Sequence, residues 1–154
     1  MSRISVGAKV PDFTIPTTGG EFRLGALGKE KLVVYFYPRD NTPGCTLEGS
    51  DFRDLAPAFR KARTTILGVS TDTLESHGRF RDKMKFPFEL GSDEDRAIAR
   101  LFGVWKQKNM YGKKMMGIER STFLIDGGGV LRQEWRKVRV PGHAAQVLAA
   151  ARGL

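Results

Sequence analysis

Apolar positions change their period several times along the chain, and each change marks a boundary between elements. Leu32-Val33-Val34-Tyr35-Phe36-Tyr37 is an unbroken apolar run between Lys31 and Pro38, which predicts a strand buried on both faces. Leu47, Phe52, Leu55 and Phe59 then recur at near-helical spacing and predict a helix over 45–61, kinked at Pro57. Residues 64–70 repeat the strand pattern, and 73–85 predict a second helix with Leu74, Phe80 and Met84 facing inward. A short strand is expected over 87–90. Asp93-Glu94-Asp95 then places acids where a helix dipole favours them, at the start of a helix through Ile98, Leu101 and Phe102.

The ends of the chain read as hairpins. Phe13 and Ile15, a turn at 17–20, then Phe22 and Leu24 predict one; strands over 121–126 and 130–136 joined by Gly127-Gly128-Gly129 predict another. Pro141-Gly142-His143 leads into an alanine-rich helix ending near Arg152-Gly153. Residues 106–117 have no clear period and read as a loop or a twisted extension. Strands alternating with helices imply an α/β fold: a central mixed sheet flanked by helices, a thioredoxin-like core with an N-terminal hairpin extension.

With 154 residues and 40% hydrophobic content, one core and one domain over 1–154 are expected. No apolar run approaches the ~20 residues of a membrane span, and the N-terminus lacks a signal-like apolar block, so the expected location is cytoplasmic. The net charge is +9, and between Trp105 and Arg139 nine basic residues face only three acids. Such a field steers anions or solubilises the surface, but no nucleic-acid motif accompanies it.

Cys45 is the only cysteine. It follows the predicted strand across the turn Asn41-Thr42-Pro43-Gly44 and opens the predicted helix, where unpaired N–H groups and the macrodipole favour an anion. A thiolate there is a nucleophile. Thr42 is placed to cap the same helix. His77 and His143 are far apart with no metal-ligand spacing, so they are expected to be solvated or locally bonded, with no metal or cofactor. Met110, Met115 and Met116, with Tyr111 and Trp105, read as core packing or plain loop, the alternative being an apolar mouth to the site. The glycine triplet lacks the strand–glycine–helix context of a phosphate loop.

Pro38-x-x-x-Thr42-x-x-Cys45, followed by Thr46 and Glu48, resembles the active-site signature of peroxiredoxins, and in particular the peroxiredoxin Q or bacterioferritin comigratory protein subfamily. Residues 6–13, Gly68-Val69-Ser70, and Gly117-Ile118-Glu119-Arg120-Ser121-Thr122-Phe123-Leu124-Ile125-Asp126 extend the likeness over almost the whole chain. The resemblance implies that Cys45 attacks a hydroperoxide, Thr42 bonds it, Arg120 flanks the sulfur and Pro38 shields the pocket. Gly44 and Cys45 N–H groups would donate to the developing charge, and Glu48, one turn on, would orient Arg120.

Many relatives carry a second cysteine to resolve the oxidised one, five residues on or in the next helix; here those positions hold Ser50 and Arg81. An internal disulfide is impossible, so the cycle is expected to use one cysteine and an external thiol: glutathione, a glutaredoxin or a thioredoxin. The chain is expected to be a monomer. Two rival readings are a thiol–disulfide oxidoreductase on the same fold, disfavoured because Thr42 stands where a paired cysteine belongs, and a basic, non-enzymatic nucleic-acid-associated protein.

Overall fold

The apolar run before Pro38 forms the central strand, β3 (Lys31–Phe36), and its side chains are buried on alternate faces of a sheet. Val33, Tyr35 and Tyr37 enter one core with Phe52, Phe59, Phe80 and Val147; Leu32, Val34 and Phe36 enter the other with Phe13, Ile98, Phe102 and Phe123. Burial on both sides is the setting an uninterrupted apolar strand requires.

The computed structural model describes residues 4–154, with the Met110 side chain outside that description. Around β3 lie β1 (Thr14–Thr17), β2 (Gly20–Arg23), α1 (Pro43–Lys61), β4 (Thr64–Ser70), α2 (Leu74–Met84), β5 (Glu89–Ser92) and α3 (Ala97–Leu101). They are followed by β6 (Trp105–Met110), β7 (Lys113–Ile118), β8 (Ser121–Ile125), β9 (Leu131–Trp135) and α4 (His143–Arg152). Seven strands form one sheet in the order β2-β1-β5-β4-β3-β8-β9. β3, β4 and β5 are parallel, joined by the crossover helices α1 and α2, while β1, β8 and β9 pair antiparallel. This is the α/β, thioredoxin-like arrangement with an N-terminal hairpin. No helix among the described residues is long and apolar enough to cross a membrane.

Two expected core positions lie outside. Leu47 is 49% exposed and Leu74 41%. The buried side of α1 carries Cys45, Glu48, Phe52, Ala56 and Phe59, and at 100° per residue Leu47 points away from that stripe. On α2 the inward positions belong to His77 and Phe80, with Met84 packed at the core's edge. Pro57 lies inside α1, which runs on to Lys61.

The segment without a clear period is ordered as a ribbon. β6 and β7 pair from Trp105↔Ile118 to Met110↔Lys113 around Tyr111-Gly112, both at positive φ (54° and 77°). Two left-handed residues make the tight hairpin turn whose twist matches the flanking strands. Tyr111 and the flanking Met115 and Met116 are exposed, so these side chains are neither core nor a lining of the buried site; the Met110 side chain lies outside the described residues.

Candidate active site

The site forms where β3 stops. Tyr37 N–H still donates to Val69 C=O (3.0 Å), after which half-buried Pro38 ends the pairing. Asn41 adopts a left-handed conformation (φ 63°), turning the chain so that Thr42, extended at φ −83° and ψ 153°, becomes the N-cap of α1. Pro43 occupies the first helical position, where its missing N–H costs nothing. Thr46 N–H makes the first intrahelical bond, to Thr42 C=O (2.9 Å), so the N–H groups of Gly44 and Cys45 precede the helical ladder. Thr42 does not cap with its side chain. Its Oγ1 donates instead to Arg39 C=O (2.9 Å).

Cys45 is 2% exposed and its sulfur is held from above by Arg120, whose Nη2 donates to Sγ at 3.3 Å. The second arm of the guanidinium, Nη1, donates to Glu48 Oε1 at 2.6 Å. Glu48 follows Cys45 by three residues and therefore shares its face of the helix. Arg120 reaches this position from the short link between β7 and β8, fixed where Glu119 N–H donates to Val104 C=O and Val138 N–H to Arg120 C=O. Gly44 makes room for it. A Cβ at Gly44 would lie 3.2 Å from Arg120 Nη2.

Burial of Glu48, 1% exposed, raises its carboxyl from 4.5 to about 7 even against the pull of Arg120. Its Oε2 has no hydrogen-bond partner among the described residues. Burial works against the charge of Arg120, but Glu48 and the Cys45 sulfur outweigh it and raise the guanidinium above the ordinary arginine value. A permanently charged two-armed donor thus bridges a thiol and a carboxylate.

A second network braces the loop from behind. Asp40 accepts from Tyr37 OH (2.6 Å), Ser76 Oγ (2.7 Å) and His77 Nδ1 (2.8 Å). His77 Nε2 meets Gly91 C=O (2.9 Å), and Asp72 accepts from Asp40 N–H (2.9 Å) and Ser70 Oγ (2.5 Å). His77 is therefore neither solvated nor bonded to sequence neighbours: it ties the active-site loop to α2 and β5. His143 is also buried, 2.7 Å from Thr122 Oγ1 and packed edge-on to Phe52 and Trp135. Asp40, Asp72 and His77 offer ligand atoms close enough to share a metal ion, but the ring nitrogens of His77 and both oxygens of Asp40 are already engaged in protein hydrogen bonds.

Sequence reading named Cys45, Arg120, Glu48 and Gly44, which the structure brings together as neighbours, with Thr42 and Pro38 on the adjoining turn. It missed the Asp40–His77 brace, whose members lie 37 residues apart with no motif. It also missed Lys108 on β6, which is half-buried and interacts electrostatically with both Arg120 and Cys45. A surface cavity of about 530 Å³ lies near Leu32 and Gly127–Gly129, at the opposite end of β3 from the sulfur.

Residues 6–134 match the model of the AhpC/TSA family. Peroxiredoxin Bcp of Xanthomonas campestris is 54% identical over 140 residues, 90% of this chain and 88% of that protein; Peroxiredoxin Bcp of Bacillus subtilis is 47% identical, covering 94% and 93%. A solved structure of X. campestris Peroxiredoxin Q superposes with a TM-score of 0.89 at 50% identity, covering 99% of this chain and 97% of that one. The bacterioferritin comigratory protein of the same organism, studied for its alkyl peroxide reduction activity in trapped intermediate and ligand complexes, superposes with a TM-score of 0.89 at 49% identity, covering 99% and 98%. Two further structures of X. campestris Peroxiredoxin Q each replace a different cysteine with serine, so that relative carries at least two cysteines where this chain carries one. A buried thiol beneath a guanidinium, on this fold and with these relatives, places the chain in the AhpC/TSA family, in the Bcp/peroxiredoxin Q branch of the thiol-dependent peroxidases called peroxiredoxins.

Proposed function

We propose that Cys45 is the peroxidatic thiol of a one-cysteine cycle that reduces hydrogen peroxide and alkyl hydroperoxides, with an external thiol as reductant. The observation that carries this reading is the fork of Arg120, one arm on Cys45 Sγ at 3.3 Å and the other on Glu48 at 2.6 Å. The alkyl peroxide reduction activity studied in the X. campestris relative supports the substrate class.

In the first step the thiolate attacks the terminal peroxide oxygen. The S–O bond forms, the O–O bond breaks, and the departing alkoxide or hydroxide takes a proton. Negative charge moves from sulfur to the leaving oxygen, so donors that follow it lower the barrier. Arg120 and the N–H groups of Gly44 and Cys45 fill that role. Because the Thr42 hydroxyl gives its proton to Arg39 C=O, its lone pairs are free to accept the peroxide O–H, which orients the substrate. Pro38 closes the end of β3 beside this turn and shields the reaction from water.

Resolution of the sulfenic acid needs a thiol from outside, because Cys45 is the only cysteine. Ser50 Oγ donates to Thr46 C=O (2.8 Å), and Arg81 pairs with Glu89 (3.2 Å), so both candidate positions for a resolving cysteine have structural partners instead. Glutathione, a glutaredoxin and a thioredoxin are the candidate reductants, and we take the working unit to be a monomer. Cys45→Ser is expected to abolish peroxide consumption while circular dichroism and thermal melting stay close to wild type; turnover above background in the folded variant would remove Cys45 from the reaction.

A further inference from the structure

Lys108 stands in the β6–β7 ribbon, whose residues 105–118 hold four lysines and no acid. Strand register puts Lys106 opposite Gly117 and Lys108 opposite Met115, so these four positions share one face of the ribbon. The Lys108 side chain leans back over Gly117: a Cβ there would lie 3.4 Å from its Cδ and 3.8 Å from its Nζ. That direction is toward the root of the ribbon, and Arg120 stands only two residues beyond the end of β7. Lys106, Lys113 and Lys114 are exposed, whereas Lys108 is half-buried. Burial and the neighbouring Arg120 charge lower its ammonium below the ordinary lysine value, while Cys45 and Glu119 favour the charge. Among the described residues Lys108 has no hydrogen-bonding or ion-pairing side chain of its own.

Arg120 and Lys108 are thus differently employed. Arg120 is committed to Glu48 and the sulfur. Lys108, partly stripped of water and unpaired, is available to an incoming anion. We infer that Lys108 is a specificity-determining residue that receives the carboxylate of a small anionic thiol as that thiol resolves oxidised Cys45; this rests on the one-cysteine cycle proposed above.

Hydrogen peroxide arrives neutral and meets Arg120 and the helix N–H groups. The resolving reagent arrives as an anion. Its thiolate attacks the sulfenic sulfur; an S–S bond forms, the S–O bond breaks, and hydroxide departs as water after taking a proton. A second thiolate attacks the outer sulfur of the mixed disulfide and releases Cys45 as thiolate, so two small thiols are oxidised to their disulfide as Cys45 is restored. Both incoming molecules carry negative charge past Lys108, and neither can be supplied by the chain itself.

The test oxidises Cys45 with one equivalent of hydrogen peroxide and follows its reduction by stopped-flow at low ionic strength. The thiols are mercaptosuccinate and 3-mercaptopropionate (anionic), 2-mercaptoethanol (neutral) and cysteamine (cationic), each rate corrected to thiolate concentration. Wild-type protein should prefer the anionic thiols, and salt should erode the preference. Lys108→Gln should slow mercaptosuccinate roughly five- to tenfold relative to 2-mercaptoethanol, and Lys108→Glu should reverse the order in favour of cysteamine. Lys113→Gln, at the far end of the ribbon, should keep the wild-type order. If every thiol reduces the enzyme but Lys108→Gln keeps the anionic preference, the role of Lys108 is overturned and the one-cysteine cycle stands. If no thiol reduces wild-type protein, the cycle itself fails. If Lys108→Gln instead slows a carboxylated hydroperoxide relative to its methyl ester, with thiol preference intact, the cation serves the peroxide and the inference is overturned.

Discussion

Glu48 and Asp40 are buried carboxylates on either side of one turn, and they are treated in opposite ways. Asp40 accepts three hydrogen bonds, from Tyr37, Ser76 and His77, spread over both oxygens. Burial works to raise its carboxyl, but the bonds from His77 and Tyr37 outweigh it and hold Asp40 below the ordinary aspartate range. Glu48 has one partner, Arg120, on one oxygen, and burial carries it up to about 7. The first carboxylate is satisfied and holds the loop in place. The second is left partly unsatisfied, and its remaining demand is directed at the guanidinium above the sulfur. Structural polar networks are completed, whereas the site keeps an electrostatic tension that orients a donor.

The largest effect should come from breaking the satisfied side. Asp40→Asn leaves His77 buried without its carboxylate and should cost about 3 kcal/mol of folding stability, read by urea denaturation. A loss below about 1 kcal/mol would show that the brace is incidental.

A smaller effect, on rate, sharpens the other side. Glu48→Gln should slow oxidation of Cys45 by peroxide about tenfold at pH 8, where the wild-type carboxylate is charged. At pH 6 the wild-type group already carries its proton, so the two proteins should nearly converge. An unchanged ratio at both pH values would separate Glu48 from the guanidinium.

A third effect is on stability against pH. Glu48, raised in the fold from 4.5 to about 7, contributes stability that is complete below 4.5 and lost as pH rises through about 7. His143 is lowered from 6.5 to about 4, by burial first and by Arg120 second; its contribution is complete above 6.5 and lost as pH falls through about 4. Between 4.5 and 6.5 the two oppose each other. Glu48→Gln should therefore unmask a stability that rises with pH across that window.

The parts of this arrangement that could be read in the sequence are those generated by local chemistry. The apolar run before Pro38, the turn into Cys45 and the spacing from Cys45 to Glu48 each carry their geometry within a few residues. Arg120 needed the family likeness, since nothing in residues 117–126 by itself points to a sulfur 75 residues away. The brace was illegible for a related reason: Asp40, Asp72 and His77 meet only because parallel β3 and β4 bring the turns that follow them to one end of the sheet, where the first turn of α2 also lies. The β6–β7 ribbon was obscured by its turn. Tyr111-Gly112 does the work usually signalled by Asn-Gly, and the ribbon's exposed lysines and methionines lack the alternation of a half-buried strand. Leu47 and Leu74 misled because an apolar residue near a helix start was assigned inward before the buried stripe was known.

On the proposed reading, two-armed donation by Arg120, and not positive charge alone, makes Cys45 selective for peroxide. Arg120→Lys keeps a cation but cannot reach Sγ and Glu48 together in the same fork. Stopped-flow rates of Cys45 oxidation by hydrogen peroxide and of its alkylation by iodoacetamide should be compared in the two proteins. The account predicts a peroxide rate lower by about two orders of magnitude with alkylation changed no more than about threefold. Equal slowing of both reactions, or of neither, would contradict it.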